Sequence, residues 1–78
     1  MKIQVYVKDY CPYCNEVESY LIDNKIEYER VDLSDNAELY MSLKKATGHH
    51  TVPQVFIDDK FVGGADDFRD LVRKDKIA

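Results

Sequence analysis

The sequence is poor in several residue types and patterns that mark specialised protein classes. Its 78 residues contain two cysteines, three glycines, two prolines and no tryptophan. Two cysteines allow at most one disulfide, which excludes the densely cross-linked framework of many small secreted domains. No uninterrupted apolar run exceeds three residues, so we expect no membrane-spanning segment and no membrane partner.

Basic residues are too few and too dispersed to follow a phosphate backbone. The chain carries 15 acidic and 11 basic residues, for a net charge of −4, and the two signs are mixed along it. We therefore expect no nucleic-acid partner. The first residues enter "KIQVYV" without a signal-peptide pattern, so we expect a cytoplasmic protein. Thiols in that compartment stay reduced unless redox chemistry is their task.

Hydrophobic periodicity predicts a strand, a helix and a second strand in the first half of the chain. Alternating apolar residues indicate a strand over 2–7. Pro12 is typical of a first helical position, because its missing N–H would be unpaired there. The helix is expected to run to about Asn24, and "IEYERVDL" predicts the second strand. The length fits one domain over residues 1–78, since roughly 100–200 residues per domain are usual.

The second half is predicted to hold a helix, a hairpin and a final helix. Asp35 and Glu38 form a capping-box pattern at the start of the second helix, and Gly48 stands where that helix should end. The buried face of this helix is expected to carry Leu39, Leu43 and Ala46. Asp58-Asp59 joins two short strands with the spacing of a hairpin turn.

The predicted order of elements is β-α-β-α-β-β-α. Gly63-Gly64 lets the chain turn sharply before the last helix, and Asp66 or Asp67 is expected to cap that helix. A first strand–helix–strand unit implies a parallel pair with a right-handed crossover, and the hairpin adds an antiparallel pair. The sequence therefore predicts an α/β fold with a mixed four-stranded sheet flanked by three helices.

Cys11 and Cys14 fall where the first strand leads into the first helix. The N–H groups and dipole of a helix start favour a thiolate; Lys8 adds positive charge, whereas Glu16 and Glu18 oppose it. Cys14 lies one turn further, so the two Cβ atoms are about 5–6 Å apart. That spacing suits a disulfide, whose Cα atoms are usually roughly 4.4–6.8 Å apart. Cys11 can therefore attack a disulfide and Cys14 can resolve the product.

A structural disulfide and a zinc site are the alternative interpretations of this pair. A bridge between Cys11 and Cys14 closes a very short loop and adds little chain-entropy stabilisation. A structural zinc site needs four ligands, and the remaining candidates, His49 and His50, are adjacent rather than spaced by roughly three to five residues. We therefore expect no metal. A C-x-x-C pair near a strand–helix–strand pattern instead favours a redox motif of thioredoxin type.

Three motifs in order make the chain resemble a dithiol glutaredoxin. They are "CPYC" after the first strand, "TVPQVFID" in the middle and "GGADD" before the last helix, and the resemblance covers nearly the whole chain. It implies a minimal thioredoxin fold and disulfide reduction with glutathione as co-substrate and no bound cofactor. By the resemblance, Cys11 is the exposed nucleophile and Cys14 the resolving thiol. The expected substrates are disulfide-containing or glutathionylated proteins, and we expect a monomer.

The resemblance also implies a glutathione site. A cis Val52–Pro53 bond would turn the N–H and C=O of Val52 toward the backbone of glutathione. The amides of Ala65 and Asp66 would hold the γ-glutamyl carboxylate, and Asp67 would pair with the ammonium group. Without the CPYC motif, the same residues would indicate only an edge-strand proline and a capped helix. The full set of expected glutathione contacts is Lys8, Tyr13, Thr51, Val52, Pro53, Gly64, Ala65, Asp66 and Asp67.

Two other functions share this fold. Small redoxins of similar length take electrons from thioredoxin reductase, but they usually lack the "TVP" and "GGxDD" motifs. Iron–sulfur cluster carriers use one cysteine per subunit and two glutathiones. Specialised carriers typically show "CGFS", which this chain lacks. The motifs present here favour the glutathione-dependent reductase.

One departure from the family pattern generates a prediction. Many relatives carry a glutamine and a basic residue before "TVP", whereas this chain has His49-His50. Histidine is a less dependable cation than arginine near neutral pH. We expect weaker glutathione binding than is usual in the family, with the glutathione KM falling as the pH is lowered toward about 6. A KM that is constant between about pH 6 and 8 would instead identify both side chains as solvated loop histidines.

Overall fold

The computed structural model describes residues 1–77 and has the predicted order of elements. The predicted domain ends at Ala78, which lies outside the described residues. The elements are β1 Ile3–Val7, α1 Pro12–Asp23, β2 Glu29–Asp32, α2 Ala37–Thr47, β3 Gln54–Ile57, β4 Lys60–Gly63 and α3 Ala65–Arg73.

The four strands form one mixed sheet in the order β2-β1-β3-β4. β1 and β2 are parallel, with Val7 opposite Asp32, whereas β3 is antiparallel to both β1 and β4. The predicted α/β fold with a mixed four-stranded sheet is therefore confirmed. Within residues 1–77, no helix combines the length and the apolar character needed to cross a membrane.

The main core lies between one face of the sheet and the helices α1 and α3. Alternate side chains of β1 point into it, because successive strand residues face opposite sides of a sheet. Tyr20 of α1 and Phe68 of α3 make an edge-to-face contact with ring centroids 5.7 Å apart. The buried members of this core are Ile3, Val5, Val7, Cys14, Val17, Leu21, Val55, Ala65, Phe68 and Ile77.

The other face of the sheet carries an aromatic cluster and the helix α2. The rings of Tyr6 and Phe56 lie 5.4 Å apart, and Phe61 extends this cluster from β4. α2 reaches the same face through Thr47, whose hydroxyl lies 3.0 Å from Oε1 of Gln54. The end of α2 is thereby attached to the start of β3, beside the position of the TVP motif.

The boundaries of α2 and β2 differ from those predicted. Asn36, and not Asp35 with Glu38, caps α2: its Oδ1 accepts the N–H of Leu39 at 3.1 Å. Either side chain satisfies the free N–H groups of a first turn, so local sequence does not separate the two starts. β2 begins at Glu29, three residues after the start of the predicted run.

Leu39 and Ala46 are exposed, which corrects the buried face predicted for α2. Leu39 retains 37% of its accessible surface, whereas Leu43 retains 7%. The expected end of the helix is confirmed, since Gly48 is in the left-handed conformation with φ 72°. Asp58 and Asp59 also have positive φ, 51° and 67°, as the predicted hairpin turn requires.

The start of α3 differs in one detail from the prediction. Gly64 occupies the position before the helix, and Asp66 and Asp67 lie within its first turn. Asp67 nevertheless contributes to the cap, because its Oδ2 accepts the N–H of Gly64 at 3.3 Å. The carboxylate thus reaches back to the residue that leads into the helix.

Leu43→Ala and Leu39→Ala form a matched pair on α2 that tests this burial. We expect Leu43→Ala to lower the free energy of unfolding by at least about 2 kcal/mol, because it removes a buried side chain. Leu39→Ala should cost less than about 1 kcal/mol, since that side chain is partly exposed. Urea denaturation followed by circular dichroism measures both, and equal losses would contradict the observed orientation of α2.

Candidate active site

Cys11 is the residue that caps α1. Its Sγ accepts the N–H of Cys14 at 3.2 Å, and its backbone is extended, with φ −114°. Pro12 occupies the first helical position, as predicted. The sulfur therefore lies at the positive end of the helix, where an anionic form is favoured over a thiol.

Cys11 and Cys14 form a disulfide, with Cα atoms 5.2 Å apart. Cys11 is partly exposed, whereas Cys14 is packed into the core and retains 1% of its surface. A reactant from solvent can therefore reach the pair only through Cys11. Because of this difference in access, the Cys11 sulfur can react directly with a molecule from solvent and the Cys14 sulfur cannot.

A pocket of about 260 Å³ lies beside this pair. The carbonyl oxygen of Val52 is 3.8 Å from the Cys11 sulfur, so the sulfur faces the loop that forms one wall. The Val52–Pro53 peptide in that loop is cis. Every residue expected to contact glutathione except Lys8 lines the pocket, and one further residue, His49, joins them: the lining is Tyr13, His49, Thr51, Val52, Pro53, Gly64, Ala65, Asp66 and Asp67.

The first wall of the pocket is fixed by a buried glutamine. Gln54 has no accessible surface, and its Nε2 donates to the carbonyl oxygens of His49 at 2.6 Å and Thr51 at 3.2 Å. The Thr47 hydroxyl donates to its Oε1 at 3.0 Å. Two carbonyl neighbours require the amide nitrogen on that side, which settles the orientation of the amide. The Gln54 side chain therefore supplies the hydrogen bonds that these two loop carbonyls do not receive from the backbone of the loop.

The second wall is the first turn of α3. The N–H groups of a first helical turn have no partners within the helix and suit an anionic ligand. Gly63 has φ 137°, and a Cβ there would collide with the Asp67 carboxylate. Glycine at this position therefore lets Asp67 fold back onto Gly64.

Lys8 lies outside the pocket lining and contacts α2. Its Nζ is 5.0 Å from the centre of the Tyr40 ring, and Nζ of Lys44 is 4.1 Å from the same ring. The Tyr40 hydroxyl donates to the carbonyl oxygen of His50 at 3.3 Å. Of the two histidines singled out in the sequence, His49 lines the pocket, with its Nε2 3.1 Å from the Thr51 hydroxyl oxygen.

The two glutamates expected to oppose a Cys11 thiolate are each paired with arginine. Glu16 accepts a hydrogen bond from Nε of Arg69 on α3. Glu18 accepts from Nε of Arg30 at 2.9 Å and from the Tyr28 hydroxyl at 2.7 Å. Partial burial, followed by the bond to Glu18, raises the pKa of Tyr28 to about 12. Each of the two carboxylates therefore has a cationic partner.

Among residues 1–77, no three or more histidine, cysteine or acidic side chains form a group that could hold a metal ion.

Comparison with known proteins places this chain in a family. A profile of the glutaredoxin family matches residues 3–62. The chain belongs to the glutaredoxin family. Glutaredoxin 3 of Escherichia coli strain K12 is 34% identical over 65 residues, which cover 83% of this chain and 78% of that protein. Glutaredoxin 1 of Rickettsia conorii is 36% identical over 77 residues, which cover 96% of this chain and 76% of that protein.

A solved structure agrees with the fold. The crystal structure of a buckwheat glutaredoxin–glutathione complex superimposes with a TM-score of 0.88 at 31% identity, covering 95% of this chain and 70% of that one. The predicted minimal thioredoxin fold is confirmed. This glutaredoxin is a thiol–disulfide oxidoreductase, and Cys11 and Cys14 are its dithiol pair.

Gln54 and Tyr40 contribute to the site, and no motif in the sequence predicts that they do. Gln54 follows Pro53 and opens a strand that is otherwise apolar. A polar residue in an apolar, buried strand requires hydrogen-bond partners. The presence of glutamine at this point of the sequence therefore indicates a structural role. Tyr40 gave no comparable signal, because its contacts with Lys8 and His50 depend on how α2 lies over the sheet.

Gln54→Leu tests whether the buried amide holds the pocket loop. We expect the variant to lose about 1–3 kcal/mol of unfolding free energy, because two loop carbonyls lose their donor. Its turnover should also fall, since those carbonyls belong to pocket residues. Gln4→Leu is the matched control: Gln4 makes a more exposed bond to Glu29 and should change stability by no more than about 0.5 kcal/mol. Equal losses of unfolding free energy in the two variants, measured by urea denaturation, would contradict the proposed role of Gln54 in holding the loop.

Proposed function

We propose that this glutaredoxin uses glutathione to reduce protein disulfides and glutathione mixed disulfides. The observation that carries the proposal is the pocket beside Cys11, which combines the Thr51–Pro53 loop with the first turn of α3. Such a pocket offers an extended backbone and a helix N-terminus to one small ligand. The buckwheat relative was crystallised with glutathione, which supports the same ligand class here.

Each end of glutathione has a chemically suitable partner in this pocket. The γ-glutamyl carboxylate would accept the free N–H groups of Ala65 and Asp66, and the adjacent ammonium group would pair with Asp67. The N–H and C=O of Val52 would pair with the cysteinyl backbone. Tyr13 would cover the ligand beside the sulfur. Lys8 would join these contacts after its side chain leaves the Tyr40 ring.

A glutathionylated protein would be reduced through Cys11 alone. The Cys11 thiolate attacks the glutathione sulfur of the mixed disulfide, a bond forms between these sulfurs, and the protein thiolate leaves and takes a proton. A second glutathione thiolate then attacks the bound glutathione sulfur. Glutathione disulfide leaves and the Cys11 thiolate is restored. A helix N-terminus favours Cys11 both as attacking thiolate and as leaving group.

A protein disulfide would require both cysteines. Cys11 forms a mixed disulfide with one protein sulfur and releases the other as a thiol. The Cys14 thiolate then attacks the Cys11 sulfur, which releases the second protein thiol and leaves the Cys11–Cys14 disulfide. Two glutathiones reduce this bridge and leave as glutathione disulfide. The identity of the protein substrates, the cytoplasmic location and the monomeric state stay predictions.

Cysteine variants separate the two routes. We expect Cys11→Ser to abolish turnover of a small glutathione mixed disulfide, because the nucleophile is lost, whereas Cys14→Ser retains it. Turnover is followed as NADPH consumption with glutathione and glutathione reductase. A parallel assay replaces both with thioredoxin reductase. Wild-type turnover in the thioredoxin reductase assay alone would contradict glutathione dependence and favour a small redoxin.

A further inference from the structure

The pocket wall formed by α3 presents an electrostatic conflict. Its backbone N–H groups suit a carboxylate, yet the same first turn carries Asp66 and Asp67. Asp67 is engaged by the N–H of Gly64 and is the proposed partner of the ligand ammonium. Asp66 has no such role, its side chain is 92% exposed, and its negative charge lies at the pocket where an anionic group would bind.

Arg69 contacts Asp66 and links it to the helix that carries the nucleophile. Its Nη1 donates to Oδ1 of Asp66 at 2.7 Å, one turn along α3. Its Nε donates to Oε2 of Glu16 on α1. The two bonds use different nitrogens of one planar group, so they fix both the position and the orientation of the guanidinium. A single cation thus joins the two helices whose N-termini flank the pocket.

We propose that Arg69 is a positioning residue for glutathione: it offsets the charge of Asp66, so that the first turn of α3 can accept the γ-glutamyl carboxylate. The inference rests on the proposed function and extends it to a residue outside the pocket lining. Arg69 acts through Asp66 and does not touch the ligand. Glu16 holds the guanidinium from the other side and keeps it at the pocket edge.

The expected size of the change in the glutathione KM follows from the solvent exposure of the Arg69 side chain. The Arg69 side chain retains 44% of its surface, so solvent and salt screen its interaction with Asp66. We expect Arg69→Gln to raise the apparent KM for glutathione by roughly 2–5-fold, with kcat little changed. The rise should shrink in about 0.5 M NaCl, because screening weakens the repulsion that the variant exposes.

Arg73→Gln is the matched control. Arg73 lies in the last turn of the same helix and is exposed, so this variant makes the same change in net charge far from the first turn. It should leave the KM at the wild-type value. A KM raised equally by both variants would assign the effect to net charge and overturn the proposal.

A second substitution separates charge from helix attachment. Arg69 also links α3 to α1 through its hydrogen bond to Glu16. Its loss could therefore disturb the pocket by weakening the contact between the two helices. Adding Asp66→Asn to Arg69→Gln removes the negative charge of Asp66 but cannot restore the hydrogen bond to Glu16. We expect the double variant to have a lower KM than Arg69→Gln, because the charge that repels the carboxylate is gone. A KM that stays as high as in Arg69→Gln would overturn the charge mechanism.

The remaining outcomes distinguish this inference from the function on which it rests. Wild-type turnover with glutathione, together with an unchanged KM in Arg69→Gln, would overturn the role of Arg69 alone. A wild-type protein without glutathione-linked turnover would overturn the proposed function and this inference with it.

Discussion

Cys11 occupies the place that serine, threonine, aspartate or asparagine takes at many helix starts. Its sulfur accepts the N–H of Cys14, so one contact both begins α1 and holds the sulfur at the positive end of that helix. The segment before Cys11 is held by the turn that follows β2, because the N–H of Asp9 donates to the Ser34 hydroxyl at 2.9 Å. Tyr10 then turns the chain with a φ of 56°. Because Cys14 is one turn further along, the same helix carries the second sulfur into the core.

The register of the sheet brings the pocket to this sulfur. β3 begins opposite the end of β1, with Gln54 paired to Tyr6, so the loop before β3 lies near the segment that leads to Cys11. The hairpin then returns the chain, and Gly63 at the end of β4 lies opposite Val55. The two pocket walls are therefore the two ends of one hairpin. Gln54 fixes one end, and the two glycines let α3 begin directly at the other.

Local patterns account for most of what the sequence could predict. Pro12 marks the first turn of α1, Gly48 the end of α2, and Asp58-Asp59 the hairpin; each depends on the conformation of a few neighbouring residues. The cysteine spacing is equally local. These signals predict the fold, and the three motifs together predict every pocket residue except His49.

The features that the sequence did not predict depend on distant contacts. Gln54 is buried only because α2 and the preceding loop close over it, and Leu39 is exposed because α2 presents Leu43 to the sheet instead. Glu16 and Arg69 are 53 residues apart in the chain, and no periodicity relates them. Such pairings exist only after α1 and α3 pack together, so inspection of either helix by itself gives no sign of them.

The proposed function pairs an acidic protein with an anionic ligand. The chain carries a net charge of −4, and glutathione is itself negative near neutral pH. A pocket lined with lysine and arginine would attract many anions without distinguishing them. Backbone N–H groups at a helix start donate to a carboxylate only along fixed directions, and an aspartate beside them repels anions that lack an adjacent ammonium group. The γ-glutamyl end of glutathione carries both groups on one carbon, so under the proposed function a wall of amides and one carboxylate would select it by geometry, and the charge of Asp66 would have to be offset from outside the pocket.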